Sequence, residues 1–212
     1  ELLPGGVHKA LQIMAPGLRF EDAWEYGSQQ QLVLELGMGR GRLAAQLFFM
    51  GCTVIGVELA NERFLMAAAA LERLAHRCSH TYEMSRRGQE ARIRKKDGPV
   101  GALCEVRQGN FLDRVTKEEV AAATLVILQV FLPKSVWPQL RIFLEELKGG
   151  CRILSYEDLR QTVWAGTLAA RYWPAVGPLR RGTGSTATRR LALEASSQGC
   201  CCCCWKWWWW LL

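Results

Sequence analysis

The string Glu35-Leu36-Gly37-Met38-Gly39-Arg40-Gly41 has the composition of a ligand-binding bend. Glycines let the main chain turn tightly and approach a bound group closely. The residues behind Gly41 open a helix, whose free N–H groups attract a carboxylate or a phosphate. A dinucleotide fingerprint needs its third glycine at position 42, which is Arg42, so a nicotinamide dehydrogenase is disfavoured. Glu58 closes the next apolar run. A carboxylate at that place accepts both hydroxyl protons of a ribose and repels a 2′-phosphate. Glu35 stands inside an otherwise apolar run, where a charge is costly without a ligand or a partner. The plainer alternatives are pairing of Glu35 with Arg40 or Arg42, and a solvated turn for Glu58.

Such residues need strands that end in tight turns, and the pattern from Gln31 onward supplies them. Leu32 to Leu36 is a short apolar run, followed at helical spacing by Leu43, Ala44, Leu47 and Phe48. Thr53 to Glu58 predicts a second strand. Asn61 is then an N-cap for a helix carrying Phe64, Leu65, Ala68, Leu71 and Leu74 on one side. Tyr82/Met84 and Ala91/Ile93 alternate around Arg86-Arg87-Gly88, which predicts a β-hairpin insert over about 78–102. Ala102 to Arg107 predicts a third strand leading into Gly109-Asn110-Phe111. Thr116 with Glu119 makes a capping box, and Thr124 to Val130 is apolar enough for a strand covered on both faces. A helix over 134–148 should begin near Pro138 and end at Gly149-Gly150, before a fifth strand from Cys151 to Tyr156. Strands alternating with helices predict an α/β domain with a mainly parallel sheet. Past residue 160 the pattern fades. Trp164, Tyr172 and Trp173 are expected to pack on the sheet, and Thr186 to Leu193 to form an edge strand.

The chain has 212 residues, half of them apolar, enough for one or two domains whose core removes about 70% of the unfolded surface from water. Of nine Cys, five form the run Cys200 to Cys204. The others, Cys52, Cys78, Cys104 and Cys151, contain no CxxC pair. They argue against a zinc ribbon or a thioredoxin-like site and read as small core residues in a reducing compartment. His76-x-Cys78-x-His80 has only Glu83 nearby as a further ligand and reads as a frayed helix end. The net charge of +7 is concentrated in Arg86, Arg87, Arg92, Arg94, Lys95 and Lys96, and in four Arg between Arg180 and Arg190. Such clusters suit phosphates or acidic partners, and equally a solvated hairpin. The absence of a long apolar run or a signal-peptide pattern makes a soluble intracellular protein the expectation. The ending Cys200 to Leu212 is low-complexity and without folding periodicity. It reads as a mis-joined coding end, with a lipid-interface anchor as the alternative.

The bend from Glu35 to Gly41 matches the acid-x-Gly-x-Gly-x-Gly motif of the class I, seven-strand S-adenosylmethionine-dependent methyltransferases, and the sequence resembles that family. The resemblance implies a Rossmann-like, mainly parallel sheet with S-adenosylmethionine as cofactor. It places the methionine moiety at Glu35, Gly37, Gly39 and Gly41, the ribose at Glu58, and the adenine at Asn110 and Phe111. Asn110 stands where that family more often has Asp, and an amide still meets the adenine's donor and acceptor. A narrower resemblance covers about residues 1–158. Gly56-Val57-Glu58-Leu59, Gly109-Asn110-Phe111-Leu112, Ala123 to Gln129 and Gly149 to Ser155 look like the non-SET histone-lysine methyltransferases of the disruptor-of-telomeric-silencing type. It implies a nuclear enzyme acting on a histone in the nucleosome, with Arg92, Arg94, Lys95 and Lys96 touching DNA phosphates. Gln129 is then the catalytic residue, in place of that family's Asn beside the transferring methyl group. Outside the histone reading the expected location is cytoplasmic. The implied organisation is an N-terminal helical segment over 1–30, the remnant of a truncated lobe, followed by a cofactor domain over 31–160, a divergent segment over 161–199 and the tail over 200–212. The same class acting on a small molecule or a non-histone protein, and a non-catalytic cofactor-binding module, are the alternatives.

Overall fold

The computed structural model describes residues 31–96, 102–159 and 161–164. Five strands rich in Val, Ile and Leu run parallel: β1 (Leu32–Leu36), β2 (Thr53–Glu58), β5 (Leu103–Gln108), β6 (Leu125–Leu128) and β7 (Arg152–Ser155). Two more, β3 (Tyr82–Arg87) and β4 (Glu90–Lys95), form a hairpin that adds antiparallel to the edge of β5. The sheet order is β3-β4-β5-β2-β1-β6-β7. From β1 the chain winds outward through β2 to β5 and then returns to the other side of β1 with β6. The strand order therefore reverses between β1 and β6, and ligands of open α/β sheets bind in the crevice at such a reversal. This is the Rossmann-like sheet of the class I methyltransferase type, with a hairpin insert where the alternation around Gly88 places it.

Helices cover both faces. Helix α1 (Arg42–Phe49) and helix α2 (Asn61–Arg77) bury Leu43, Leu47, Phe48, Phe64, Ala68 and Leu71 against Val33, Val54, Ile93, Cys104 and Ile127. Helices α3 (Phe111–Arg114), α4 (Lys117–Ala122) and α5 (Trp137–Glu145) cover the opposite face, packing on Leu34, Leu36, Ile55, Val126 and Leu128. Pro138 sits in the first turn of α5, preceded by a 3-10 turn over Lys134–Val136, as its missing N–H requires. Trp164 is buried in this second core. Tyr172, Trp173, the expected edge strand, the 1–30 segment and the Cys/Trp tail lie outside the described residues.

Three local expectations are corrected. Ala60, not Asn61, occupies the N-cap of α2, without a side-chain cap; the carboxylate of Glu58 takes the Ala60 N–H instead. Leu65 is 42% exposed, because a step of about 100° per residue turns it away from the stripe formed by Phe64, Ala68 and Leu71. The fourth parallel strand stops at Leu128, so Gln129 follows the strand and does not lie inside it.

The hairpin's charges are largely paired. Arg92 holds Glu105 with two nitrogens, Nε at 2.8 Å and Nη2 at 3.0 Å. Arg94 pairs with Glu83 and Arg86 with Glu72. On β5 the buried Arg107 bonds Glu105 at 2.7 Å, both oxygens of Glu119 at 2.8 and 2.6 Å, and the Arg114 carbonyl at 2.6 Å. Burial opposes the charge on Arg107, but the Glu119 and Glu105 carboxylates outweigh it and hold the guanidinium above its usual range. Burial also pushes Glu119 upward, and the hydrogen bonds from Arg107 and the Thr116 N–H bring it below the ordinary value. Thr116 and Glu119 close the expected capping box at the same time. Arg92 and Arg94 therefore each have a carboxylate partner within the chain, while their side chains stay 50% and 67% exposed.

Candidate functional site

The bend after β1 is hooked onto β2 by two hydrogen bonds, in which Gly37 and Met38 both donate to the Val57 carbonyl, at 2.9 and 3.1 Å. Gly41 lies at the start of α1 with φ of 72°, and a Cβ there would stand 3.0 Å from Ala67 Cβ; conformation and space both require glycine. Gly39 also has a positive φ, 60°, but nothing lies within 4 Å of where its Cβ would be. The middle of the bend therefore faces open space, as a seat for a ligand must.

Glu58 anchors this seat. Its Oε2 accepts the Gly39 N–H at 2.8 Å and its Oε1 accepts the Ala60 N–H at 2.9 Å, while the residue is only 5% exposed. Each oxygen keeps lone-pair capacity for a further donor such as a hydroxyl. Glu35, 1% exposed, lies on the α1 side of β1, beside Gly56 of β2. Burial raises its pKa from 4.5 to about 8; a hydrogen bond from the Ala44 N–H opposes this and the charge of Glu58 adds to it. Its Oε2 is buried without a hydrogen-bond partner. The structure thus brings Glu35, Glu58 and the three glycines to one end of the sheet, as the spacing implied.

The turn after β5 meets the same end. Gly109 donates to the Glu58 carbonyl at 2.9 Å, and Gln108 Nε2 donates to the Leu59 carbonyl at 3.1 Å. Asn110 caps α3 by accepting the Leu112 N–H at 3.2 Å, which leaves its amide nitrogen for another partner. Phe111, which the resemblance sets at the adenine and which reads equally well as a core residue, is 8% exposed and packs edge-on against Phe143, with centroids 5.8 Å apart. An exposed apolar side chain at this place is Leu59, 70% exposed and next to Glu58; a lone Leu at a strand end carries no signal of such a role in the sequence.

Across the reversal point, Gln129 donates its backbone N–H to the Leu36 carbonyl at 3.2 Å. Its Oε1 accepts the Tyr156 hydroxyl at 3.2 Å, and its Nε2 is buried without a partner. Tyr156 stacks on Phe131, with centroids 6.2 Å apart and planes at 29°; the two are 48% and 73% exposed. No local pattern announces this shelf, since Tyr156 lies 27 residues from Gln129 and meets Phe131 only through the pairing of β6 with β7. Among the described residues no group of three His, Cys, Asp or Glu side chains is placed to hold a metal ion. No helix among them is long and apolar enough to cross a membrane.

No family model matches the chain, and no curated protein does. Solved structures do match. An RNA methyltransferase from Salinibacter ruber in complex with S-adenosyl-L-homocysteine is 22% identical, with a TM-score of 0.39, over 66% of this chain and 74% of its own. The glycopeptide N-methyltransferase MtfA complexed with sinefungin is 15% identical, with a TM-score of 0.45, over 74% of this chain and 56% of its own. The B. subtilis tRNA methyltransferase TrmK is 16% identical, with a TM-score of 0.36, over 65% of this chain and 48% of its own. The chain spans about half the length of the latter two. At these identities the likeness is one of fold, and the assignment of the fold rests on the strand order itself.

Proposed function

We propose that the chain is an S-adenosylmethionine-dependent methyltransferase. The observation that carries this reading is the Glu58 carboxylate, bound to the Gly39 N–H, at the reversal point of a class I sheet. The donor set fits the cofactor: Glu58 offers acceptors to the ribose hydroxyls, Gly37, Gly39 and Gly41 leave room for the amino-acid end, and Asn110 offers an amide to the adenine edge. The unpartnered oxygen of Glu35 is the acceptor waiting for an ammonium or a bound water. Phe111 supports the adenine turn from the core side, and Leu59 supplies the apolar surface for the ring. Bound here, S-adenosylmethionine supplies an already activated methyl group for in-line displacement, so positioning is the main task left to the protein.

For the acceptor we infer a protein lysine, as in histone H3, which would place the enzyme in the nucleus. The strings around Glu58, Asn110, Gln129 and Ser155 support this reading. A lysine amine, with a pKa of about 10.4 in water, must lose its proton before attack. Gln129 orients the amine through its amide, with Tyr156 fixing the amide's direction. One observation favours a second reading, a small-molecule or non-histone acceptor: Phe131 and Tyr156 form an open shelf, not the dry walls that favour a neutral lysine. Incubation with methyl-tritiated cofactor and a panel of nucleosomes, free histones, RNA and cell extract tests both. Label on histone lysine supports the first reading, label confined to other acceptors supports the second, and no transfer with the cofactor bound contradicts both.

A further inference from the structure

We propose that the end of the sheet opposite the glycine bend binds the phosphate backbone of a nucleic acid strand through Arg73, Arg77 and Lys96. The three cations belong to one surface. Helix α2 ends at Arg77, and the chain turns at once into the hairpin, with Cys78 donating to Leu74, and Thr81 and Tyr82 both donating to Cys78, at 2.8 to 2.9 Å. Lys96 donates its backbone N–H to the Thr81 carbonyl at 2.8 Å, which puts the far end of β4 beside the end of α2. Arg73 lies one turn before Arg77 on the same side of the helix, about 6 Å along its axis.

Charge accounting separates these residues from the rest of the basic insert. Glu72 and Glu83, acids close to them in the chain, are committed to Arg86 and Arg94, and Glu105 to Arg92 and Arg107; Asp97, which follows Lys96, lies outside the described residues. No ion pair is formed by Arg73, Arg77 or Lys96 among the described residues, and all three are exposed. Like charges at i and i+4 cost a helix about 0.2–0.5 kcal/mol. Arg77 recovers part of that from the negative end of the helix, but Arg73 lies before the last turn, where the benefit fades. A polyanion offsets the repulsion, and the guanidinium fork suits phosphate oxygens.

The surface does not suit a lipid bilayer. The exposed large apolar residues of α2 are Leu65 and Met66, both in its first half, whereas interfacial binding needs an apolar face along the basic stretch. The 17 residues of α2 hold this surface about 25 Å from the glycine bend, so a bound strand leaves the cofactor end open.

The test measures binding of a fluorescent 20-nucleotide single-stranded RNA and of a polyglutamate peptide of equal charge, from low to physiological salt. The variants are Arg73→Ala/Arg77→Ala/Lys96→Ala and a control with equal charge change on the opposite face, Lys134→Ala/Arg141→Ala/Lys148→Ala. The proposal expects the first variant to weaken RNA binding and to reduce the slope of log affinity against log salt by about 2, at about 0.7 per lost phosphate contact. It expects the control to keep the wild-type slope, and adenosyl-ligand affinity to stay unchanged in both variants. Absent RNA binding by the wild type, equal losses in the two variants, or polyglutamate bound as tightly as RNA would each overturn it. Because the readout is RNA affinity, failure here leaves the methyltransferase reading standing, and the converse holds as well.

Discussion

Replacing Glu35 by Gln should change how stability depends on pH, in a direction that the burial of this carboxyl fixes. The folded protein raises its pKa from 4.5 to about 8, with burial as the main cause. Between these values the folded chain holds a proton that the unfolded chain has released. Stability is therefore lost as pH rises through this window and levels off above about 8. The full span corresponds to about 5 kcal/mol between the neutral and charged forms, of which about 3 kcal/mol has been lost by pH 7. Glutamine is neutral, nearly isosteric, and keeps an oxygen for the Ala44 N–H, so its folded state pays no such penalty. Urea unfolding of both proteins at pH 5, 6, 7 and 8 isolates the effect, because every other titrating group is common to the pair. The variant should gain on the wild type progressively, by several kcal/mol at pH 8 relative to pH 5. A stability difference that stays constant across the window would show that Glu35 titrates normally and is not held neutral by its surroundings.

Gly39→Asp should fold, at a cost of about 1 kcal/mol for the left-handed backbone, and lose S-adenosylhomocysteine binding; intact circular dichroism with intact binding would remove the bend from the site. Glu58→Gln should weaken the adenosyl ligand ten- to a hundredfold, the loss of about 1.5–3 kcal/mol in charge-assisted hydrogen bonds, read by calorimetry. Phe131→Ala should raise KM for the methyl acceptor while leaving cofactor affinity unchanged, and a parallel loss of both would place Phe131 in the fold and not on an acceptor shelf. Arg107→Met removes the ion-pair partner of Glu119 and one of the two of Glu105, which keeps Arg92, and should cost about 3 kcal/mol in urea unfolding, whereas Arg141→Ala, which breaks the exposed pair with Glu145, should cost less than about 1 kcal/mol.

The parallel strands were legible because each is a short apolar run ended by a turn residue, and β1 and β2 match their sequence bounds in full. The Thr116 capping box was legible for a similar reason, its two partners lying within one helical turn. The polar contacts across the sheet were not. Arg92, Glu105, Arg107 and Glu119 meet only because β4 pairs with β5 and α4 folds back beneath them, and no local spacing announces that. Read from the chain alone, Arg92 and Arg94 looked like free cations, while the unpaired Arg73 and Arg77 drew no notice within a helix. Phe111 shows the same limit. Its place in a motif suggested contact with adenine, and only the fold shows that its ring also packs edge-on against Phe143. In the candidate site, the shared position of the glycines and the two acids at one end of the sheet was readable from their spacing; Leu59, Phe131 and Tyr156 needed the fold to bring them to the crevice.

Isothermal titration of the purified chain with S-adenosylhomocysteine, alongside Gly39→Asp, tests the central claim most directly. A saturable, one-to-one exothermic signal for the wild type, absent in the variant, is the result that the Glu58 and Gly39 geometry requires. No heat with the wild type, or equal heat with both proteins, would contradict a cofactor seat at the bend after β1.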